Sequence, residues 1–343
     1  MRIGITYNLK SDLPAPSVLS LPEDAAEEFD LPETIEAIQK VLLEDGHQVY
    51  LLGGDLSIIE KIKRFRIEFV FNIAEGFHGR NREAHIPALL ELLAIPYSGS
   101  DPLGLATTLD KSFAKRIAIS HEIRTPEFWV LNERADLQSL PHQFPLFVKP
   151  LWQGSSKGIR LSSRTEDFAQ LETEVNRLFN DYPGEPVLVE RYIPGREFTV
   201  GVVGNREPEI LGVMEIAFRN PQKGDLCYSL EVKRNWKEEV TYQMPAKLDS
   251  KSEQEIRQAV LNLFRILRLR DMARFDFRMN SEGQIYFLEV NPLPGLSPES
   301  GDIVILAQKR GLSYSALILK IVRAACDRYP ALAPSNVKGR IHA

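Results

Sequence analysis

The sequence predicts an α/β protein built from three units, and three observations support that prediction. Strand-like apolar runs alternate with amphipathic helical stretches along most of the chain. The 343 residues exceed what one ordinary hydrophobic core organises, so two or three domains are expected. A Pro-Gly turn at 183–186 separates two of the units. We place the units at residues 1–100, 101–186 and 187–343.

Composition indicates a folded protein and disfavours several classes. Hydrophobic residues make up 43% of the chain and charged residues 26%, which is typical of globular domains. The net charge of -5 argues against nucleic-acid binding through a general basic surface. No run of about 18 apolar residues and no signal-like N-terminus is found, so we expect no membrane span and a cytoplasmic location. The two cysteines, Cys227 and Cys326, have no metal-binding or redox spacing, and we expect structural roles.

The first unit has the pattern of an open nucleotide-type α/β fold without a glycine-rich fingerprint. We predict strands at 2–7, 47–52 and 68–72 and a helix at 33–44. Between the first strand and the helix lies a long segment, 8–30, of a length that is usually functional or mobile. Its acidic run, residues 23–30, is expected to form solvated surface, with contact to a larger amine or a peptide as the alternative.

The second and third units continue the alternation of strands and helices. In the second unit we predict a strand at 146–149 and helices at 111–120 and 166–180. The third unit is expected to hold strands at 187–192, 197–203, 273–279 and 284–290 and helices at 252–267 and 313–325. The polar residues 334–343 are expected to be loosely held.

An acidic hairpin in the third unit is the strongest sign of chemistry. Polar and apolar residues alternate in 273–279, which places Arg274 and Asp276 on one face of a strand. A simple four-residue loop at 280–283 would bring Arg274 opposite Glu289 and set Asp276 diagonally from Glu289 at roughly 7 Å. Asn291 follows on the same face. Two carboxylates and an amide oxygen suit Mg²⁺, which keeps waters and binds substrate phosphates.

A solvated hairpin face with paired charges is the alternative interpretation of the same pattern. The sequence Asn-Pro-Leu-Pro-Gly at 291–295 favours a site, because a rigid, glycine-ended loop beside two acids serves substrate binding better than a solvated face.

Two weaker patterns fit a nucleotide. A buried-type strand ends at Lys149 and is followed by a Gly/Ser loop, 154–158, whose backbone amides can approach phosphates. Glu190 ends another apolar strand, and Tyr192 and Ile193 beyond it offer apolar cover for a base. A Gly/Ser hairpin tip and a plain strand end explain each pattern about equally well when taken alone.

Taken together and in this order, the pieces resemble the ATP-grasp superfamily, and within it the D-alanine–D-alanine ligases. The resemblance runs over about 69–319 and is most specific at 89–100, Asp110-Lys111, 148–150 with 154–156, 189–190 with 197–200, 274–276 and 288–300. It implies a three-domain ATP-grasp fold that binds ATP between two sheets. It also implies amide-bond formation in which a carboxylate takes the γ-phosphate of ATP to give an acyl phosphate, which an amine then attacks.

The resemblance assigns roles to individual residues. For ATP it implies Lys111, Lys149, Ser155, Ser156, Glu190, Tyr192, Ile193, Glu197, Leu288 and, from a mobile loop at about 218–236, Lys233. The metal, Mg²⁺ with Mn²⁺ as an alternative, would be bound by Asp276, Glu289 and Asn291. Arg274, Ser155 and the Gly295 amide are the implied catalytic groups, and Glu75, Arg274, Gly295 and Ser300 the implied substrate contacts. The partners would be amino acids or peptides, and the chain would form a homodimer.

Three departures from the family fall where its members recognise substrate. After the first strand the family has a glutamate that holds an ammonium group, whereas here the chain reads Thr6-Tyr7-Asn8-Leu9-Lys10, with no counterpart. Glu75 replaces a histidine, and Arg234 replaces a tyrosine. A lost carboxylate weakens ammonium binding by roughly 2–5 kcal/mol in a desolvated site. We therefore expect weak or absent D-alanine dimerisation and an altered substrate.

Two alternatives remain open at this stage. One is a genuine D-alanine–D-alanine ligase of cell-wall synthesis with a rearranged N-terminal loop. The other is a nucleotide-binding module without catalysis, which would have little need for Arg274 beside two carboxylates. The identity and chirality of the substrates do not follow from the sequence.

Overall fold

A small parallel sheet forms the N-terminal part of the computed structural model, which describes residues 1–13, 22–220 and 229–332. Its strands are β1 (Arg2–Thr6), β2 (Gln48–Gly53) and β3 (Phe69–Asn72), in the order β2-β1-β3. Helices α1 (Pro32–Glu44), α2 (Ile58–Phe65) and α3 (His85–Leu92) accompany them. Because β1 has a neighbour on each side, the loops after β1 and β3 diverge and leave a crevice at the carboxyl ends of the strands.

The central part is an antiparallel four-stranded sheet. It is preceded by α4 (Pro102–Leu109) and α5 (Lys111–Ser120) and consists of β4 (Phe128–Leu131), β5 (Leu146–Pro150), β6 (Arg164–Thr165) and β7 (Val187–Arg191), in the order β4-β7-β5-β6. Helix α6 (Phe168–Asp181) packs its apolar face, including Leu171 and Val175, against Val148 and Val189 of the sheet. The Asp167 side chain caps this helix by accepting from the Gln170 amide.

The strand at 187–191 corrects one predicted assignment. We placed 187–192 at the start of the third unit, but β7 pairs along its length with both β4 and β5 of the central sheet. The Pro-Gly turn at 183–184 is therefore a tight return from α6 into the same sheet. A strand-like run followed by a turn does not reveal which sheet it joins. The remaining domain boundaries stay predictions.

The C-terminal part is an antiparallel five-stranded sheet. Its strands are β8 (Arg196–Val203), β9 (Glu209–Phe218), β10 (Val240–Gln243), β11 (Met272–Met279) and β12 (Ile285–Asn291), in the order β10-β9-β8-β11-β12. Its helices are α7 (Leu230–Arg234), α8 (Trp236–Glu239), α9 (Ser250–Ile266), α10 (Asp302–Lys309) and α11 (Tyr314–Cys326). Apolar residues of α9 cover one face of the sheet, at Phe275 and Phe277 among others.

The other face of this sheet shares its hydrophobic core with the N-terminal sheet. Ile3 and Phe71 belong to one buried cluster with Ile303 of α10 and Leu317 of α11. Apart from the stretches 14–21, 221–228 and 333–343, no helix combines the length and apolar character that crossing a membrane requires. Cys326 is a free, half-buried thiol. The predicted loose C-terminus and Cys227 lie outside the described residues.

Candidate active site

A pocket lies between the central and C-terminal sheets. It gathers most of the residues that the sequence singled out, and these line its wall: Lys149, Ser155, Ser156, Glu190, Tyr192, Ile193, Glu197, Lys233, Arg274, Asp276, Leu288 and Glu289. These residues come from segments more than 100 positions apart along the chain, so the fold creates the site.

The hairpin β11–β12 forms as predicted, but in a different register. Arg274 lies opposite Asn291, and Asp276 lies directly opposite Glu289. The predicted pairing of Arg274 with Glu289 is wrong for two reasons. The turn is one residue longer, because the Asn280 side chain accepts from the amides of Glu282 and Gln284. A β-bulge between Asp276 and the next residue shifts the pairing by one further residue.

The corrected register fits a divalent cation better than the predicted one. Side-chain roots in directly opposed positions lie about 4.5–5.5 Å apart, and two like charges there repel each other. Burial, and secondarily Glu289, raise the pKa of Asp276. Burial alone would also raise the pKa of Glu289, but Lys111 and Lys149 outweigh it and hold that pKa below its ordinary value.

Asn291 completes the candidate ligand set at the end of β12. Its Oδ1 accepts from the Leu293 amide at 2.9 Å, which leaves a second lone pair. Among the residues described, no group of three or more His, Cys, Asp or Glu side chains is arranged to hold a metal. A cation here would therefore rely on two carboxylates, one amide oxygen and non-protein ligands such as waters and phosphate oxygens, the donor set that Mg²⁺ favours.

Arg274 is held between two carboxylates. Its Nη2 lies 3.0 Å from Asp276 Oδ2, and its Nη1 lies 3.2 Å from Asp302 Oδ2. Asp302 is the first residue of α10 and also lines the pocket. The two acids raise the pKa of Arg274, against the effect of burial. The guanidinium is therefore a fixed, permanently charged group at the pocket wall.

Two lysines share the single carboxylate of Glu190. Lys149 Nζ lies 2.8 Å from Oε1, and Lys115 Nζ lies 2.9 Å from Oε2. Burial would raise the pKa of Glu190, but the two ammonium groups overcome it and lower that pKa to about 2. Burial lowers the pKa of Lys115 to about 8. Two cations against one anion leave an excess positive charge, which suits phosphate.

The far end of the pocket is apolar and aromatic. Tyr192 is buried beside Phe147, with ring centroids 6.1 Å apart. The Arg278 guanidinium lies over the Tyr192 ring at 4.7 Å and pairs with Glu197 at 3.8 Å. Ile193 and Leu288 add apolar surface. This end offers flat apolar cover with a few polar groups, as a nucleobase requires.

The Gly/Ser loop adopts a backbone shape that few residues tolerate. Ser155 and Ser156 have φ values of 53° and 60°, in the left-handed region. Gly158, at φ 72°, has no room for a side chain, because a Cβ would lie 2.3 Å from Pro150 Cγ. Glu28 fixes the start of the loop by accepting from the Gly154 amide at 2.5 Å.

The acidic segment, residues 23–30, corrects a second expectation. We predicted solvated surface, but Asp24 is buried and the Glu28 side chain is only 4% exposed. Asp24 Oδ2 accepts from the Gly158 amide at 2.8 Å, at the other end of the loop. Arg82 donates to both oxygens of Glu28 at 2.8 and 3.0 Å, and Lys157 lies 3.1 Å away. The acids are buried because basic side chains and loop amides pair with them.

The connection between β9 and β10 brings two basic residues to the pocket rim. Lys233 Nζ donates to the Ser155 carbonyl at 3.1 Å, and burial lowers its pKa to about 8. Arg234 pairs with Glu27 at 2.8 Å and with Glu23 at 2.5 Å. Of the predicted mobile loop at 218–236, residues 221–228 lie outside the described residues. Arg234 is thus engaged by the acidic segment.

Glu75 lies at the carboxyl end of β3, among acids. Burial raises its pKa well above the ordinary value, and the nearby carboxylates of Glu83 and Glu28 raise it further. In the described part of the chain its carboxylate forms no ion pair or hydrogen bond. Asp30 lies near it, because the acidic segment returns to the end of β1, where the Asp30 amide donates to the Asn8 carbonyl. An acid therefore stands near the end of β1 in space, although the sequence has no glutamate directly after that strand.

Besides Glu75, four predicted residues lie outside the main pocket lining. Lys111 and Asn291 line a smaller adjoining cavity, where Lys111 Nζ donates to the Gln153 carbonyl and lies 3.7 Å from Glu289. Gly295 and Ser300 are exposed. The Ser300 hydroxyl donates to Ser297 Oγ at 3.1 Å.

Three residues of the site were missed from the sequence. Lys115 stands one helical turn after Lys111, a spacing that places both on one face of a helix and was a usable signal. Asp302 and Glu28 gave no comparable signal, because each meets its partners only through the tertiary fold.

The fold and this pocket define a class of protein: a nucleotide-binding protein whose site lies between two sheets. Cationic groups and paired carboxylates converge in that site. Comparisons with known proteins agree. A family profile described as "D-ala D-ala ligase C-terminus" matches residues 122–323. The D-alanine–D-alanine ligase of Aquifex aeolicus is 33% identical over 291 residues, covering 84% of this chain and 94% of that protein. An uncharacterized protein of Sinorhizobium fredii, y4sG, is 34% identical over 302 residues, covering 86% of this chain and 88% of that protein.

Solved structures agree on the fold. A crystal structure of D-alanine–D-alanine ligase from Bacillus anthracis complexed with ATP superposes with a TM-score of 0.71 at 22% identity, covering 96% of this chain and 98% of that one. The chain belongs to the D-alanine–D-alanine ligase family and has the ATP-grasp fold. It is an ATP-dependent carboxylate–amine ligase of a family that acts on small-molecule substrates.

Proposed function

We propose that this ligase uses ATP and Mg²⁺ to join a carboxylate and an amine through an acyl phosphate, and that its substrate pair differs from two D-alanines. One observation carries the proposal: Lys149, the Gly/Ser loop, Arg274 and the opposed pair Asp276 and Glu289 all face a single pocket. The apolar end beside Tyr192 takes the base, which directs the phosphates towards the charged end.

The residues of the charged end have different roles in the reaction. Lys149, with Lys115 behind it, and Lys111 neutralise phosphate oxygens as the γ-phosphoryl group moves to the substrate carboxylate. Arg274 and the Gly295 amide stabilise the oxyanion that forms when the amine attacks. The Gly/Ser loop and Lys233 cover the reactants and keep water from the acyl phosphate.

The donor set at the hairpin fits the metal that this chemistry uses. Asp276, Glu289 and Asn291 would hold Mg²⁺. When bound, the ion neutralises the phosphates and relieves the repulsion between the two opposed carboxylates.

The altered substrate is supported by the crevice at the ends of β1 and β3. Glu75 stands where the resemblance led us to expect a histidine, and burial raises the pKa values of the nearby Asp30 and Glu83 to about 7 each. A cationic group of the substrate would pair with these acids and favour their ionised form. Arg234, in place of the expected tyrosine, is engaged by Glu23 and Glu27, which removes it from substrate contact.

A genuine D-alanine–D-alanine ligase is the second candidate, and one observation favours it. The acidic segment returns Asp30 to the end of β1, so one acid stands near the place where the family holds its substrate ammonium. The two candidates share every ATP-site residue and differ only in the substrate.

A substrate panel tests the proposal and separates the candidates. The enzyme is incubated with ATP, Mg²⁺ and D- or L-amino acids and short peptides, and ADP release is measured. Hydroxylamine is included in a parallel series, because it traps an acyl phosphate as a hydroxamate. Turnover with another pair at least about tenfold above that with D-alanine supports the altered substrate, and the reverse ranking supports the second candidate. No ADP from any pair contradicts both. A homodimer and a cytoplasmic location remain predictions.

A further inference from the structure

The acidic side chain at the start of α10 neutralises the cations at the reacting end of the pocket. Asp302 Oδ2 lies 3.2 Å from Arg274 Nη1, while Asp276 takes the other terminal nitrogen of the same guanidinium at 3.0 Å. Asp302 is only 18% exposed. Arg274 therefore already has two carboxylate partners before any substrate is considered.

The other pocket cations are committed as well. Lys149 pairs with Glu190 and Arg278 with Glu197, and Arg191 pairs with Glu127 at 3.3 Å. Lys233 alone among the pocket-lining cations has no carboxylate within 4.0 Å, counting only the described residues. Asp302 is the acid with the largest favourable effect on Lys233. Asp302 thus offsets the positive charges of both Arg274 and Lys233, at the end of the pocket where the carboxylate donor and the amine acceptor meet.

This arrangement has a consequence for the amine substrate. An amino-acid acceptor carries a carboxylate one carbon from its amine, so that carboxylate has to enter the pocket close to Arg274 when the amine attacks. Beside Asp276 and Asp302, the carboxylate of the acceptor would be a third anion around the Arg274 guanidinium. Like charges brought together in a desolvated site strongly disfavour binding.

We infer that Asp302 is a specificity-determining residue that selects an acceptor amine without a free α-carboxylate, such as an amino-acid amide, a peptide blocked at its C-terminus or a simple amine. This rests on the proposed ligase function and names the class of its second substrate. The selection is electrostatic: an uncharged or cationic acceptor leaves the Arg274–Asp302 pair intact, whereas a carboxylate competes with Asp302 for Arg274.

A competition between two acceptors tests this inference directly. Glycine and glycinamide are achiral and differ in carboxylate against carboxamide, a change that also lowers the pKa of the glycinamide amine. That difference is the same for every variant, so the change of product ratio between variants is the decisive readout. Both are supplied at equal concentration, with ATP, Mg²⁺ and the donor acid that gives most hydroxamate in the substrate panel. Mass spectrometry of the two amide products gives the selectivity as one ratio. The variants are Asp302→Asn, of equal shape, and Asp302→Ser as a second form. The control is Glu299→Gln, three residues before Asp302 in the sequence. It removes the charge of a side chain that is 83% exposed.

The wild-type enzyme is expected to favour glycinamide. Asp302→Asn should shift the product ratio towards glycine by about tenfold or more, which corresponds to about 1.4 kcal/mol, and Glu299→Gln should leave the ratio unchanged. If Asp302 merely positions Arg274, both products fall together and the ratio stays constant, which overturns the inference. A wild-type preference for glycine also overturns it. If no donor releases ADP, the ligase proposal itself fails and this inference fails with it, whereas ADP release with an unchanged ratio contradicts only the role of Asp302.

Discussion

Replacing Glu28 by glutamine should destabilise the protein strongly, although Glu28 lies in a segment that looks like a surface loop. Its side chain is 4% exposed and pairs with Arg82 and Lys157, which are themselves 5% and 8% exposed. Removing one partner from a buried ion pair leaves the other charges uncompensated, at a cost of about 3–5 kcal/mol.

The pKa of Glu28 gives a second measure of the same quantity. Burial would raise it, but Arg82 and Lys157 outweigh burial and lower it from 4.5 to about 2. A shift of that size corresponds to about 3 kcal/mol. Because the folded-state pKa is lowered, the contribution of Glu28 is present above pH 4.5 and is lost as the pH falls towards about 2. The two measures agree within their precision.

Urea unfolding followed by tryptophan fluorescence is the appropriate assay. At pH 7 the free energy of unfolding of Glu28→Gln should be lower than that of the wild type by about 3 kcal/mol, and the difference should shrink at pH 3.5. Glu33→Gln, at an exposed position of α1, is the matched control and should stay within about 0.5 kcal/mol of the wild type. A Glu28→Gln variant as stable as this control would refute the reasoning.

Three further predictions concern the hairpin, the crevice and the pocket rim. Asp276→Ala should lower ADP release by about 100-fold or more while the unfolding temperature stays within a few degrees of the wild type, and retained turnover would remove the metal assignment. Asp30→Asn should stabilise the protein at pH 8 by at most about 4 kcal/mol and have little effect at pH 3.5. The sign follows because burial raises the folded-state pKa of Asp30 from 3.8 to about 7, so its favourable contribution holds below 3.8 and disappears as the pH rises through about 7. Urea unfolding at both pH values checks this, and equal effects at the two would contradict it. Arg234→Ala removes exposed pairs with Glu23 and Glu27, so stability should change by no more than about 1 kcal/mol, whereas limited proteolysis within 229–239 should become faster. Cleavage at the wild-type rate would show that these pairs do not hold the rim.

The sequence predicted what depends on local periodicity and failed where distant segments meet. Strict alternation placed Arg274 and Asp276 on one face of β11, and the structure agrees. The register with β12 depended on the Asn280 turn and on a bulge, which alternation does not encode. Strand β9 was missed altogether, although it pairs with β8 in the centre of the sheet.

Among site residues the same division holds. Lys149 and Glu190 end apolar strands, so their approximate positions followed from strand patterns. Their mutual contact, and the burial of Glu28 against the Gly/Ser loop, depend on how separate units pack together. An isolated acidic run resembles solvated surface until its basic partners are known.

The shared core of the N-terminal sheet and helices α10 and α11 bears on how the chain can be made. Strands β1 and β3 leave the ribosome early, yet helix α11 covers their apolar side only after nearly the whole chain has emerged. The hydrogen bond from Arg328 to the Tyr97 carbonyl spans 231 positions of sequence. During synthesis the nascent N-terminal sheet therefore exposes apolar surface to solvent or to chaperones for most of the elongation time. A ribosome stalled before residue 314 should present this sheet as a protease-sensitive segment, and release of the full chain should protect it.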